Sequence, residues 1–257
     1  MPLIKQKHPK VTLVGAGPGD PKLIALKGIE ALQEADVVLY DALVNIELLN
    51  YASNAELIFV GKRKGNHSYT QDEINQLIVD KAFEFGSLVR LKGGDSFIFG
   101  RGSEEIQFVD SFGIETEVVP GISSATSVPV RQGISLTQRG ISESFWVITG
   151  TTTARKLSKD FELAAQSTAT LVVLMGMAQL AEMVAIFEKL GKADTPIAII
   201  QNGFMPDEKV GIGRMNTILG IVAKKQLSNP AIIVIGEVVQ HSTKLHSIFQ
   251  EVEEFYK

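Results

Sequence analysis

Val89–Glu105 reads V-R-L-K-G-G-D-S-F-I-F-G-R-G-S-E-E, and the rest of the chain falls into place around it. An apolar, β-rich run from Leu88 to Leu91 breaks at Gly93-Gly94. It gives way to an acid, Asp95, two aromatics, Phe97 and Phe99, and a glycine pair bracketing Arg101. Glycine removes the side chain where the backbone must approach a neighbour closely or take positive φ. In α/β proteins ligands bind beyond the carboxyl ends of the strands, which is where such a loop sits. A tight strand-to-helix turn carrying a surface acid is the plainer reading of Gly-Gly-Asp. The density of glycine, aromatic, acid and arginine favours a ligand site.

On either side the pattern alternates. Upstream, strands are expected at Val11 to Val14, Asp36 to Tyr40 and Glu56 to Val60. Between them, Leu23 to Ala35 repeats apolar residues at helical spacing, Glu47 to Ala52 is helix-like, and Thr70 to Phe85 opens with Thr70 and Glu73 in capping-box register. Downstream, a helix over Ser103 to Phe112 precedes a strand at Glu115 to Val119. Further strands are expected at Ser144 to Ile148, Thr170 to Met175, Pro196 to Ile200 and Ala231 to Ile235, with a helix at Ala178 to Leu190 stopped by Gly191. Thr151 to Ala169 is polar and poorly periodic. The alternation predicts an α/β protein with mostly parallel or mixed sheets covered on both faces. The junction falls around Pro120 to Ser127, giving domains 1–122 and 123–257.

Composition narrows the function. The chain has 257 residues, 45% hydrophobic and 21% charged, with a formal charge of −4. That gives no reason to expect nucleic acid or an anionic membrane as partner. Cysteine is absent, which excludes disulfides, thiolate nucleophiles and Cys-ligated metal centres. The first ten residues carry no apolar signal region, and the most apolar window, Leu171 to Phe187, is short for a bilayer and interrupted by Gly176, Gln179 and Glu182. These features point to the cytoplasm. His8, His67, His241 and His246 are not at metal-ligand spacing with carboxylates, so no metal is expected.

Several segments can carry chemistry. G-A-G-P-G-D at Gly15 to Asp20 invites a dinucleotide reading, with Asp41 where a ribose-binding acid belongs. Its spacing is G-x-G-x-G rather than G-x-G-x-x-G, and Pro18 removes an amide donor. Asp41 and Lys62 each end a strand and can serve as an acid–base pair, or as a turn cap and a solvated base. Lys62-Arg63-Lys64, Arg101, Arg131 and Arg139 would form a receptor for a polyanionic molecule if they converge, and an ordinary surface if they do not. Phe97 and Phe99 are either ligand-stacking or core, and Met175 reads as core.

Taken together and in order, these segments resemble the uroporphyrinogen-III C-methyltransferases of the tetrapyrrole methylase family. The likeness is carried by V-G-A-G-P-G-D (Val14 to Asp20), Y-D-A-L-V (Tyr40 to Val44), V-G-K-R (Val60 to Arg63), the Val89 to Glu105 loop, V-P-G-I (Val119 to Ile122), Met175-Gly176, Asn202-Gly203 and Pro230 to Val239. K-G-G-D-x-F-I-F-G-R-G is the most specific of them. The resemblance implies two α/β domains with an S-adenosylmethionine site in the cleft between them, in a homodimer. It implies methyl transfer to C-2 and C-7 of uroporphyrinogen III, giving precorrin-2 for sirohaem or cobalamin synthesis and S-adenosylhomocysteine as by-product. Carried over position by position, Asp41 is the proton acceptor and Lys62 the proton donor. Cofactor contacts fall on Pro18, Gly93, Gly94, Asp95, Ile98, Ser123, Ser124, Met175 and Gly203. Arg63, Arg101 and Arg139 are the candidates for substrate carboxylates.

The chain departs from the family pattern in places. Ser96 and Ser103 stand where proline and glycine are common, and Ser103 is expected to cap the following helix. Thr137-Gln138-Arg139-Gly140 replaces Thr-His-Arg-Asp, Ala42 replaces an arginine, and Ser123-Ser124 replaces threonine-alanine. With the first motif at Val11, no dehydrogenase–chelatase module is expected upstream. Three rivals remain open here: a later precorrin methylase, a nicotinamide-dependent oxidoreductase using Gly15, Gly17, Gly19 and Asp41, and a tetrapyrrole- or S-adenosylmethionine-binding regulator without turnover.

Overall fold

The computed structural model describes residues 8–61 and 69–255. The chain divides into two compact units, residues 1–123 and 124–257.

The first unit is built on five parallel strands: β1 (Lys10–Gly15), β2 (Val37–Tyr40), β3 (Glu56–Phe59), β4 (Ser87–Lys92) and β5 (Glu115–Val119), in the order β3-β2-β4-β1-β5. Parallel neighbours need crossovers, and these place helices on both faces. α1 (Leu26–Gln33) covers one face, and α2 (Gln71–Phe85) with α3 (Gly102–Asp110) covers the other. Strand alternation sorts the side chains. Val37, Leu39, Leu88, Val11 and Leu13 pack with Ile74, Ile78 and Val109, while Val38, Val89, Leu91 and Val14 pack with Leu32. Thr70 caps α2 in the expected box, its backbone N–H donating to Glu73 at 2.7 Å and its hydroxyl accepting from the Glu73 N–H at 3.3 Å.

The second unit holds a mixed sheet of β6 (Phe145–Thr149), β7 (Thr170–Leu174), β8 (Pro196–Gln201), β9 (Lys209–Arg214) and β10 (Ala231–Ile235), in the order β6-β7-β10-β8-β9. β6 and β7 are parallel, and β10 runs antiparallel to both β7 and β8. The carboxyl ends of β6, β7 and β8 therefore share one edge. α5 (Phe161–Gln166), α6 (Leu180–Lys189) and α7 (Ile218–Lys225) cover one face. α4 (Ser124–Arg131) and α8 (His246–Phe255) cover the other.

The sequence reading differs from the structure in several respects. β9 was not expected, because Gly211 and Gly213 break its apolar pattern. They are glycine because Leu227 and Ile221 of the covering layer fill the space a Cβ would take. The polar stretch Thr151 to Ala169 contains α5, anchored by fully buried Phe161 against Phe187. Ser103 does not cap α3. The cap position is Arg101, in a left-handed conformation with no side-chain cap bond.

At the amino end of the first sheet, Lys10 and Lys27 both pair with Glu117 on β5. Hydrogen bonds from Lys10 and then Lys27 pull the Glu117 carboxyl from 4.5 to about 2. A depressed carboxylate contributes stability above its unfolded value that is lost as pH falls through the folded value. Glu117→Gln should therefore lower Tm at pH 7, within the ~1 kcal/mol range of part-exposed pairs. The two proteins should converge on acidification from pH 4.5 towards 2. A gap that persists at the acid end, followed by circular dichroism, would contradict this.

Candidate active site

In a parallel sheet every strand ends at the same edge, so the loops after β1 to β5 converge by topology. Three of these loops touch through backbone alone. The Gly17 N–H and Gly94 O meet at 3.2 Å, and the Gly94 N–H donates to Gly17 O at 2.7 Å. A Cβ on Gly121 would strike Gly94 O and the Gly15 backbone. Asp95 fastens the set: one carboxylate oxygen accepts the Phe97 N–H at 2.8 Å, and the other accepts the Gly121 N–H at 2.9 Å. The loop after β1 leads into a short 3-10 turn, Pro21–Leu23, capped by Asp20, and α1 starts only at Leu26. Its glycines therefore do not open onto a helix N-terminus, the arrangement that a dinucleotide pyrophosphate requires.

Asp41 stands at the end of β2 with its side chain 25% exposed. Oδ1 accepts the Leu43 N–H at 3.0 Å, closing a turn, while Oδ2 lies 3.9 Å from Arg90 Nη2. Behind it is a buried ionic cluster. Glu105 Oε1 receives Lys92 Nζ at 2.8 Å, Gln71 Nε2 at 3.1 Å and Arg90 Nε at 3.4 Å. Arg90 also donates to the carbonyls of Leu39 and Leu91. Burial pushes the Lys92 amine below its ordinary value, with Arg90 adding to the effect and Glu105 opposing it. The two cations are thus matched by Glu105 and Asp41. Sequence reading passed over Arg90, Lys92 and Glu105. Their signal was V-R-L-K, two cations two residues apart in a strand covered on both faces.

The remaining candidates scatter. Phe97, Ile98 and Phe99 are 49%, 44% and 45% exposed on the loop after β4, so the aromatics are not core. Pro18 and Gly93 lie in the same strand-end loops, Gly93 against Leu43. Arg101 is held by Glu104 in its own turn at 2.6 Å. Arg139 is exposed, in a turn where Gln138 pairs with Ser142 and Gly140 takes positive φ, which accounts locally for the glycine. Lys62, Arg63 and Lys64 lie outside the described residues. Ser123 ends the first unit and Ser124 opens α4.

In the second unit, Met175 and Gly203 follow β7 and β8 on the shared carboxyl edge. Met175 is not core. Its φ of +56° turns the chain out of the sheet and leaves it 48% exposed. Gly203 abuts Val128, which occupies the space a side chain would need. Among the described residues no cluster of His, Asp and Glu is placed to hold a metal, and no helix is long and apolar enough to cross a membrane.

The sequence profile of the Tetrapyrrole (Corrin/Porphyrin) Methylases matches residues 10–219. The chain belongs to this family. It is 48% identical over 233 residues to the uroporphyrinogen-III C-methyltransferase of Methanocaldococcus jannaschii, covering 90% of this chain and 96% of that one. The enzyme of the same name from Priestia megaterium is 44% identical, with 91% and 99% covered. Among solved structures, uroporphyrin-III C-methyl transferase from Thermus thermophilus complexed with S-adenyl homocysteine superposes with a TM-score of 0.77 at 36% identity. That match covers 90% of this chain and 99% of that one. A cobalt precorrin-4 methyltransferase shares the fold, with a TM-score of 0.80 at 24% identity. This tetrapyrrole methylase is thus an α/β protein of two sheets, one parallel and one mixed.

One departure from the family pattern has a physical signature. Ser96 is 1% exposed and its hydroxyl has no hydrogen-bond partner. An unsatisfied buried hydroxyl costs free energy that an alanine avoids. Ser96→Ala should leave Tm unchanged or raise it, by up to ~1 kcal/mol of stability in urea titration. A clear loss of stability would mean that the hydroxyl has a partner in solution.

Proposed function

We propose that this chain is an S-adenosylmethionine-dependent uroporphyrinogen-III C-methyltransferase that methylates C-2 and C-7 to give precorrin-2, feeding sirohaem or cobalamin synthesis. The observation that carries the reading is the end-to-end match to enzymes of that name, 96% and 99% of their lengths at 48% and 44% identity. Proteins named siroheme synthase match over only 51% of their length, so the reading extends to the methyl transfer alone.

The residues fit the donor and the chemistry. S-adenosylmethionine supplies an electrophilic methyl that needs neither metal nor thiol, only an electron-rich carbon held in line with it. Exposed Ile98 in the first unit and exposed Met175 in the second are each apolar side chains suited to an adenosyl group. Cofactor contacts at Pro18, Gly93, Gly94, Asp95, Ile98, Ser123, Ser124, Met175 and Gly203 accord with this. Asp95, however, already spends both oxygens on backbone amides, so its contribution is to shape the loop.

Each methylation leaves positive charge on a pyrrole that proton loss relieves. Asp41 is the acceptor: a quarter exposed to solvent, fixed through one oxygen and turned towards Arg90 with the other. Lys62 is assigned as proton donor, and Arg63, Arg101 and Arg139 as partners of the substrate's carboxylates. Arg139 is exposed, whereas Arg101 must first leave Glu104. The enzyme acts as a cytoplasmic homodimer.

Anaerobic incubation with uroporphyrinogen III and methyl-labelled S-adenosylmethionine should give a doubly methylated product by mass spectrometry. Absence of transfer to any tetrapyrrole would overturn the reading. Asp41→Asn should bind S-adenosylhomocysteine as the wild type does while kcat falls by ~100-fold or more. Unchanged turnover would remove Asp41 from the mechanism.

A further inference from the structure

Met175 carries two costs that packing does not repay. It holds φ at +56°, a region that residues with a Cβ avoid, and it leaves an apolar thioether half in water. A glycine would escape both. Conformations of this kind persist only where the surroundings over-determine them, and they gather at ligand sites.

The surroundings here are specific. The Gly150 N–H donates to Leu174 O at 2.7 Å, extending the pairing of β6 with β7 past the last strand residue. The Gly150 and Gly176 backbones then touch so closely that a Cβ on Gly150 would overlap Gly176. Immediately beyond, the Thr151 hydroxyl donates to Met175 O at 2.8 Å. Thr151 is itself gripped by Thr149, whose hydroxyl donates to Thr151 O at 2.9 Å and accepts the Thr151 N–H at 3.3 Å. The next strand end on the same edge repeats the unfavourable backbone, with Asn202 at φ +50° and Phe204 at +69°.

We infer that Thr151 is a positioning residue for the S-adenosyl ligand: its hydroxyl clamps the Met175 carbonyl and so presents the Met175 side chain, already oriented, to that ligand. The inference rests on the methyltransferase reading above. A side chain ordered before binding does not have to be ordered by binding, so the clamp acts on affinity. The hydrogen bonds of Thr151 run to Thr149 and Met175 of the second unit, so its loss leaves Asp41 of the first unit in place.

The test is titration of S-adenosylhomocysteine by calorimetry on wild type, Thr151→Val, Thr151→Ser and Met175→Gly, with Tm and steady-state kinetics measured alongside. Loss of one such hydrogen bond should weaken binding by about fivefold in Thr151→Val. KM for S-adenosylmethionine should rise in step while kcat stays within about twofold, the pattern of lost ground-state binding. Thr151→Ser keeps the hydroxyl and should restore wild-type affinity. Met175→Gly should match or exceed wild-type Tm yet bind more weakly, a combination that a purely structural role would not produce. Wild-type affinity in Thr151→Val or in Met175→Gly, or failure of serine to rescue, overturns the inference and leaves the enzyme assignment standing. No binding by the wild type removes the assignment itself, and the inference with it.

Discussion

The Asp95 carboxylate is the tie on which the carboxyl edge of the first sheet depends. Loops after β1, β4 and β5 meet there with no side chains between them, because Gly15, Gly94 and Gly121 leave only backbone. Backbone so close must find its hydrogen-bond partners locally. The Gly17–Gly94 bridge supplies two, and Asp95 takes the amides of Phe97 and Gly121. Charge-assisted bonds to a carboxylate are stronger than neutral ones, which suits an acid rather than an amide at this place. Fixing that knot also fixes what hangs from it, including the exposed run Phe97 to Phe99.

The second constraint lies beneath. Arg90, Lys92 and Glu105 are charges almost wholly removed from water, an arrangement that costs more than it returns unless each is paired. Glu105 cannot balance two cations alone, and Asp41 is the other acid within reach of Arg90. A carboxylate at the carboxyl end of β2 thus completes the charge balance of the interior.

Much of this was readable in the residues. Short apolar, β-rich runs located nine of the ten strands among the described residues, and Thr70 with Glu73 marked the start of α2. The strand-end positions of Asp41 and the Gly-Gly-Asp loop followed from where those runs stop. What escaped was decided by neighbours far along the chain. Gly211 and Gly213 look like strand breakers until Leu227 and Ile221 are seen filling their space. Phe161 lies in a polar stretch and is recognisable as core only against Phe187. Met175 follows an apolar strand and differs from core only in its backbone angle, which no side-chain pattern encodes. α4 was hidden by its serines and by Pro129 within it.

The topology of the first sheet also sets an order of events during synthesis. β1 is made before the other four strands of its sheet, yet it is flanked in the finished sheet by β4 and β5, with Lys10 opposite Ser87 on one side and Glu115 on the other. No short hairpin can shelter it meanwhile, since every pairing in that sheet is parallel. A nascent chain therefore carries Val11 to Val14 as an unpaired apolar strand until Ser87–Lys92 of β4 has left the ribosome, and with one edge still open until Glu115–Val119 of β5 follows. This is the interval in which edge-to-edge aggregation competes with folding. The second unit contains a local antiparallel pair, β8 with β9, joined by a short turn. Pairing can begin there as soon as both strands exist. Of the two units, the second to be synthesised thus has the shorter route to its first contacts.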